Sequence, residues 1–297
     1  MNILVAGGSG FIGKKLSSVL SVNHKLTLLS RKCNKVNSAY KKSLLWENLN
    51  EDMIKKFDIV INLCGNNISN KRWSANTRKR ILDSRSKTTR KLVDLIRGKD
   101  IWLINASAIG FYQFSSDKQD ESSFLVTEKS NLTFCQQITH QWEEIVTSSN
   151  IKKWTILRFG VVLDNGGMLA KLMPSIKMGF GSIIGDGRQL MSWVSLSDLC
   201  LAVRFIIDKR ILFEAVNIVS PMSSTQKNLI ENLCLALNRP RLLKIPKKIV
   251  QILFGQMGQE LLLESHNIYP KVLTDYGFQF QDTCINSCIN RIIGIKQ

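Results

Sequence analysis

The sequence predicts an α/β fold: a doubly wound parallel sheet with a smaller mixed or helical region toward the C-terminus. Three observations carry this expectation. A short apolar run, Ile3 to Ala6, leads directly into a glycine-rich turn and a helix start. Further apolar runs of strand length then alternate with helix-period segments, as a parallel sheet with crossover helices requires. After Arg239-Pro240 the alternation gives way to a Pro-punctuated stretch, which reads as a small helical appendage.

The first strand-turn-helix unit is the most specific element. Gly7, Gly8, Ser9, Gly10, Phe11, Ile12 and Gly13 follow the strand, with glycines at positions 7, 10 and 13. Such a turn lets backbone N–H groups approach a pyrophosphate, which rests on the positive end of the following helix. A glycine turn of purely structural use is the competing reading. The strand before it and the helix after it, Phe11–Leu20, favour a dinucleotide site of Rossmann type, with Gly7, Ser9, Gly10, Phe11, Ile12 and Gly13 at the cofactor.

The second strand, Lys25–Ser30, selects the cofactor. Sites for NAD place a carboxylate at this strand end to bond the ribose 2′-OH. Here the strand ends in Ser30-Arg31-Lys32 with Lys35 close by, and no carboxylate lies between Gly13 and Glu47. A guanidinium matches a phosphate bidentately, so Arg31 suits the 2′-phosphate of NADP(H), with Ser30 adding a hydrogen bond. Exposed loop charge is the alternative.

Phe57–Cys64 and Ile101–Ala106 are the next strands, separated by a basic helix over 76–97. A helix over 136–148 carries Ile138, Trp142 and Ile145 on one face and precedes a strand at Ile151–Phe159. Glycines then cluster through Gly187, where loops beyond strand ends carry substrate in such sheets. Helices over 197–208 and 226–237 follow. The expected organisation is a dinucleotide-binding domain over 1–230, with substrate-side loops within 164–195, and a small C-terminal domain over 239–290.

Composition fits a globular chain: 297 residues, 44% apolar and 22% charged. No apolar run reaches the roughly 18 residues of a membrane span. The first strand begins at residue 3 with no basic region before it, which argues against a signal peptide. The seven cysteines are scattered and odd in number, and only three histidines are present, so no metal site is expected and a reducing cytoplasm is the natural setting. The net charge of +18 is concentrated in residues 1–100, with 21 basic against 7 acidic residues. Within 71–99 there are 11 basic and 2 acidic residues. An amphipathic helix with a solvated basic face explains that stretch as well as a nucleic-acid surface does. A small-molecule substrate is therefore the expected partner, without membrane or nucleic acid. Oligomeric state is left open, a homodimer being one option.

These residues resemble the extended branch of the short-chain dehydrogenase/reductase superfamily. Asn62-Leu63-Cys64-Gly65 looks like that branch's Asn-x-x-Gly segment beneath the adenine ribose, Ser107 falls at its active-site serine, and WVSLSD over 193–198 looks like its hydrophobic-Val-x-x-x-Asp signature. Finer features are similar to its atypical, epimerase-like members with a small C-terminal domain of unknown function. These are KRW at 71–73, SR at 84–85, SAIGFY at 107–112, LRFGVVL at 157–163, GDGRQ at 185–189, and the Arg239-Pro240 to Phe280 segment. That subfamily's Gly-Tyr-Tyr-Gly reads Gly110-Phe111-Tyr112-Gln113 here. The resemblance implies cofactor contacts from Cys64, Gly65 and Arg85.

The resemblance breaks at the proton-transfer pair. The superfamily uses Tyr-x-x-x-Lys, yet Tyr40, Tyr112, Tyr269 and Tyr276 are followed four residues on by Leu44, Ser116, Leu273 and Phe280. Aligning on Trp142-Glu143 puts Cys135 at the Tyr position and Thr139 at the Lys position. Without a nearby cation a phenol stays near pKa ~10, too high for proton transfer at neutral pH. Ser107, as an oxyanion-type donor, and Tyr112, as an acid needing Lys71, Arg72 or Arg85, are the catalytic candidates. Tyr112 as an aromatic wall is held equally open. Cys135 is a weaker acid candidate, and His140 is expected to be exposed. Arg158, Arg188 and Gln189 are candidates for gripping an anionic substrate, with a structural ion pair as the alternative for Arg158. Two functions follow: an NADP(H)-dependent oxidoreductase or epimerase on a small polar substrate such as a sugar derivative, or a non-catalytic NADP(H)-binding redox or regulatory protein.

Overall fold

The computed structural model describes residues 1–32, 38–123 and 131–294, so Cys33 and Lys35 lie outside the described residues. The chain runs β1 (Asn2–Ala6), α1 (Phe11–Leu20), β2 (Lys25–Ser30), β3 (Lys42–Leu45), α2 (Glu51–Ile54), β4 (Ile59–Asn62), α3 (Ala75–Ile96) and β5 (Trp102–Ala108). It continues through β6 (Ser115–Gln119), α4 (Phe134–Thr147), β7 (Lys153–Phe159), β8 (Val161–Asp164), α5 (Gly167–Lys177), β9 (Gly181–Ile184), β10 (Leu190–Met191), β11 (Trp193–Ser195), α6 (Leu196–Asp208) and β12 (Ala215–Ile218). The remainder is β13 (Ser224–Thr225), α7 (Gln226–Ala236), β14 (Arg241–Ile245), α8 (Lys247–Phe254), α9 (Gln256–Gly258), β15 (His266–Ile268), α10 (Lys271–Asp275) and α11 (Ile285–Ile293).

Seven strands form one parallel sheet in the order β12-β7-β5-β4-β1-β2-β3. Its strands are apolar on both faces because helices cover both. Alternation along β1 shows the two layers: Ile3 and Val5 join Leu16 and Leu20 of α1 and Leu199, Val203 and Ile206 of α6. Leu4 and Ala6 point the other way, into a core with Leu92, Val93 and Ile96 of α3 and Val146 of α4. The strand order reverses direction at β1, between β2 and β4, which opens a crevice beyond the strand ends where the glycine turn leaves β1.

The helices expected over 76–97, 136–148, 197–208 and 226–237 are α3, α4, α6 and α7, each within two residues. Side-chain caps fix their starts: Ser74 for α3, Ser195 for α6, Thr225 for α7, and a reciprocal Thr133–Gln136 capping box for α4. The short edge strand β3 has no sequence counterpart in the alternation, and KSLL gives little periodicity to read.

The C-terminal segment is mixed, one of the two forms expected for it. β14 pairs in parallel with β9, and β15 pairs with β6, so two strands dock onto loops that emerge from the main sheet. α11 packs Ile285, Cys288, Ile289 and Ile292 against Leu229, Ile230 and Leu233 of α7. The WVSLSD aspartate is part of this attachment. Asp198 is fully buried and accepts the backbone N–H groups of Gln281 at 2.9 Å and Asp282 at 2.8 Å.

Candidate functional site

A cleft of about 550 Å³ lies over the carboxyl ends of the central strands, within the usual size of small-molecule and cofactor sites. Gly7, Gly10, Phe11, Ile12 and Gly13 form one wall, with Gly65, Arg85, Ser107, Gly160, Gly167, Glu260 and His266 among the others.

The glycines of the turn divide by what surrounds them. Gly7 has φ +78°, and a Cβ on it would stand 2.8 Å from the Leu63 carbonyl; one on Gly13 would stand 2.4 Å from the Gly8 Cα. Those two are required by the fold itself. A Cβ on Gly10 meets only the Gly7 carbonyl, at 3.2 Å, so its remaining side opens to the cleft. Gly10 also starts α1 without a side-chain cap, leaving the first helical N–H groups for a ligand. Tyr40, which the sequence reading passed over, braces the turn from behind: its hydroxyl lies 3.2 Å from the Gly8 carbonyl and 3.4 Å from that of Gly13.

The NLCG segment is held by its asparagine. Buried Asn62 donates to Thr89 Oγ1 at 2.9 Å and Asn105 Oδ1 at 2.7 Å, and its own carbonyl accepts the Cys64 N–H at 3.2 Å. This fixes the backbone that carries Gly65 into the cleft. Arg85 arrives from α3 and donates to the Asn66 and Ile81 carbonyls, both at 3.1 Å, with its guanidinium 5.0 Å from the Trp142 ring. Burial lowers it to about 10. Its Nε is buried without a hydrogen-bond partner, and no carboxylate pairs with it among the described residues. Arg31 is exposed at the end of β2; its charge opposes the burial that pushes the Cys64 thiol up to about 11. Ser30 donates to the Lys32 carbonyl at 2.6 Å, and Ser9 is exposed on the turn.

On the other side of the cleft, four side chains close on one another. Ser107 Oγ donates to Glu143 Oε1 at 2.6 Å. Arg158 donates through Nε and Nη2 to the same carboxylate at 3.1 and 2.8 Å, and through Nη1 to the Tyr112 hydroxyl at 2.9 Å. Tyr112 then donates to Asn217 Oδ1 at 2.8 Å. This corrects three expectations. Ser107 lines the cleft, but its single O–H proton goes to Glu143, so it presents an acceptor there instead of an oxyanion donor. Tyr112 is 1% exposed, lies outside the cleft lining, and is pushed up to about 12 by burial despite Arg158, so it is not the acid. Arg158 is the structural ion pair, its fork filled by Glu143, and it does not grip substrate.

The remaining candidates separate as well. Arg188 is largely exposed beside Asp186 and away from the cleft lining. Gln189 is buried and donates to the Leu262 carbonyl at 3.0 Å, holding the segment behind the cleft wall without lining it. Cys135 and Thr139 do line the cleft. Burial, and then Glu260, raise the thiol well above its ordinary value, and the Thr139 hydroxyl is turned to its own helix at the Cys135 and Gln136 carbonyls. Neither replaces a Tyr–Lys pair. His140 is half-buried and stacked on Phe111 at 4.6 Å, where exposure was expected.

Three residues in or just behind the cleft escaped the sequence reading: Glu143 behind Ser107, and Glu260 and His266 in the lining. Glu143 was used only as an alignment anchor, because nothing local marks an ion pair between a helix and the strand after it. Glu260 accepts the Phe134 and Cys135 N–H groups at 3.0 and 2.8 Å, placing a carboxylate at the start of α4. His266 comes from the C-terminal segment, whose partners depend on long-range docking. Seven of the basic residues in 71–99 are engaged within the chain: Lys79 and Lys87 flank Asp83, Arg97 pairs with Asp94, Lys99 with Glu51, Lys91 donates to the Trp46 carbonyl, Arg78 to Gln256, and Arg85 is in the cleft. No group of metal-ligating side chains occurs among the described residues, and no described helix is long and apolar enough to cross a membrane.

Comparison with known proteins places this geometry in context. The profile of the NAD dependent epimerase/dehydratase family matches residues 3–218, and a domain of unknown function, DUF1731, matches residues 245–292. An epimerase family protein of Mycobacterium bovis is 31% identical, covering 97% of this chain and 96% of its own. The human epimerase family protein SDR39U1 is 27% identical over 99% of this chain and 100% of its own. The crystal structure of human SDR39U1 with NADPH superposes with a TM-score of 0.86, at 26% identity, covering 100% of both chains. UDP-glucuronic acid 4-epimerase from Bacillus cereus, at 15% identity and a TM-score of 0.78, covers 99% of this chain and 98% of its own and shares the fold.

Proposed function

Because the chain belongs to the NAD-dependent epimerase/dehydratase family, we propose that its cleft holds NADP(H) for hydride transfer with a small polar substrate, such as a sugar derivative. Arg85 carries this reading: a buried guanidinium without a carboxylate partner shares a cleft with a turn of backbone N–H groups. A guanidinium without a counter-charge and helix N–H groups left open beside it make a site that favours an anion. The open side of Gly10 supplies the room a pyrophosphate needs. Arg31 would hold the 2′-phosphate and Gly65 the adenosine half; the Ser30 hydroxyl donates to the Lys32 carbonyl and is not counted among the phosphate donors. The NADPH in the human SDR39U1 structure supports the same assignment.

A bound nicotinamide supplies the hydride. Phe11 packs on the Gly166–Gly167 corner beside the cleft, so close that a Cβ on Gly166 would stand 2.4 Å from its ring. Glu143 holds Ser107 as an acceptor facing a substrate hydroxyl or ammonium hydrogen. The second reading, a non-catalytic NADP(H)-binding redox or regulatory protein, is favoured by the absence of tyrosine from the cleft lining. Incubation with NADPH and panels of sugar nucleotides and simple carbonyls, followed by nucleotide absorbance and product epimerisation, separates the two. Turnover of any panel member supports the enzyme. Tight NADPH binding with no turnover across the panel leaves the binding protein. The six free cysteines among the described residues accord with a reducing, cytoplasmic setting.

A further inference from the structure

We infer that His266 is the polar residue that meets the nicotinamide end of the dinucleotide, in a chain whose sequence has no Tyr-x-x-x-Lys. The inference rests on the NADP(H) reading of the cleft. Position is the first argument. The glycine turn lies after β1 and Arg31 at the end of β2, so the adenosine half extends toward β2 and the other half toward β4 and β5. His266 is at that far side. It pairs in register with Ser115 on β6, which follows β5, and lines the same cleft as Ser107 and Gly160.

The imidazole itself is the second argument. Its backbone is fixed, the carbonyl accepting from Ser192 Oγ at 3.0 Å, and its ring packs against Phe114 at 5.0 Å between centroids. Yet neither ring nitrogen is given a hydrogen-bond partner by the described residues, and Nδ1 is shut off from solvent. Nε2 is then the nitrogen left to meet a ligand. A polar atom that faces a cleft and has no protein partner is left for a ligand or water to satisfy. Burial lowers His266 to about 4, so at neutral pH the ring is uncharged and carries one N–H donor and one acceptor. Through Nε2 alone it can meet a carboxamide in either tautomer, donating to the amide carbonyl or accepting from the NH₂. A cation there would instead repel an oxidised nicotinamide ring.

Two probes separate the ends of the site. Adenosine 2′,5′-bisphosphate carries the adenosine and the 2′-phosphate but no nicotinamide; NADPH carries all three. Their affinities for wild type, His266→Leu and His266→Gln are measured by calorimetry, with the emission of bound NADPH as a report on the nicotinamide. The expected result is about a tenfold loss of NADPH affinity in His266→Leu, as one hydrogen bond is worth. Emission enhancement falls with it, bisphosphate affinity stays within about twofold, and His266→Gln recovers most of the loss. Retained bisphosphate binding shows that the variants are folded. Parallel loss of both ligands, no loss of either, or a glutamine no better than leucine overturns the inference. Failure of wild type to bind either nucleotide overturns the NADP(H) reading itself.

Discussion

The two halves of the cleft are built on opposite principles. Around β1 and β4 the site is backbone: glycines that lack side chains, helix N–H groups left free, and one unpaired guanidinium, Arg85. Around β5, α4 and β7 the site is side chain, and the side chains are occupied with each other. Ser107, Glu143, Arg158 and Tyr112 form a chain of hydrogen bonds that ends on Asn217, and only Ser107 reaches the cleft. A site made of openings keeps its affinity for a ligand. One made of satisfied pairs supplies rigidity, and chemistry has to come from elsewhere.

The largest expected effect breaks the satisfied half. Arg158→Met leaves Glu143 buried without its counter-charge, which costs about 3–5 kcal/mol of stability in denaturant unfolding. The double variant with Glu143→Gln is expected to recover a large part of that, because the uncompensated charge is gone. A single variant within 1 kcal/mol of wild type would contradict the account of Arg158 as a structural ion pair.

The open half breaks differently. Gly10→Val places a side chain where the pyrophosphate would lie, and is expected to weaken NADPH at least about a hundredfold, or about 2.7 kcal/mol. Unfolding free energy should move far less, since Gly10 has ordinary dihedrals and one neighbour within reach of a Cβ. Gly13→Ala reverses the pattern and unfolds the protein first. Next in size is Arg31→Asp, expected to cost NADPH about 1.5–3 kcal/mol while NADH changes little, read by calorimetry with both nucleotides. Equal losses for the two would remove Arg31 from the 2′-phosphate.

The last effect is a slope, small at any one pH step. An unfolded histidine binds its proton near 6.5, while in the fold burial holds His266 back to about 4. Between those values the unfolded chain carries more protons, so stability falls as pH falls through that window. The contribution is at most about 1.4 kcal/mol per pH unit and is absent above it. Comparing wild type with His266→Gln isolates it, and identical slopes would contradict burial of the ring.

The same division explains what the sequence made legible. The glycine turn could be read residue by residue, because its signal is local: a strand, three spaced glycines and a helix start within thirteen positions. Helix extents were legible for a similar reason: apolar periodicity is a local signal, and α3, α4, α6 and α7 also start on side-chain caps. The side-chain half was not. Arg158 looked like a substrate grip at a strand end, and only the approach of Glu143 from α4 shows that its charge is used. Tyr112 was a catalytic candidate beside Ser107; the turn between them sends its hydroxyl inward to Asn217 on β12. His266 depends on β15 docking beside β6, a contact separated by about 150 residues with no periodic trace in the sequence.

The measurement closest to the central claim is direct titration of the wild-type protein with NADPH and NADH under identical conditions. Binding through the glycine turn, Arg85 and Arg31 predicts that NADPH binds at least about tenfold tighter, and that the preference is lost in Arg31→Asp. Equal affinities in wild type, or no binding of either nucleotide, would contradict it.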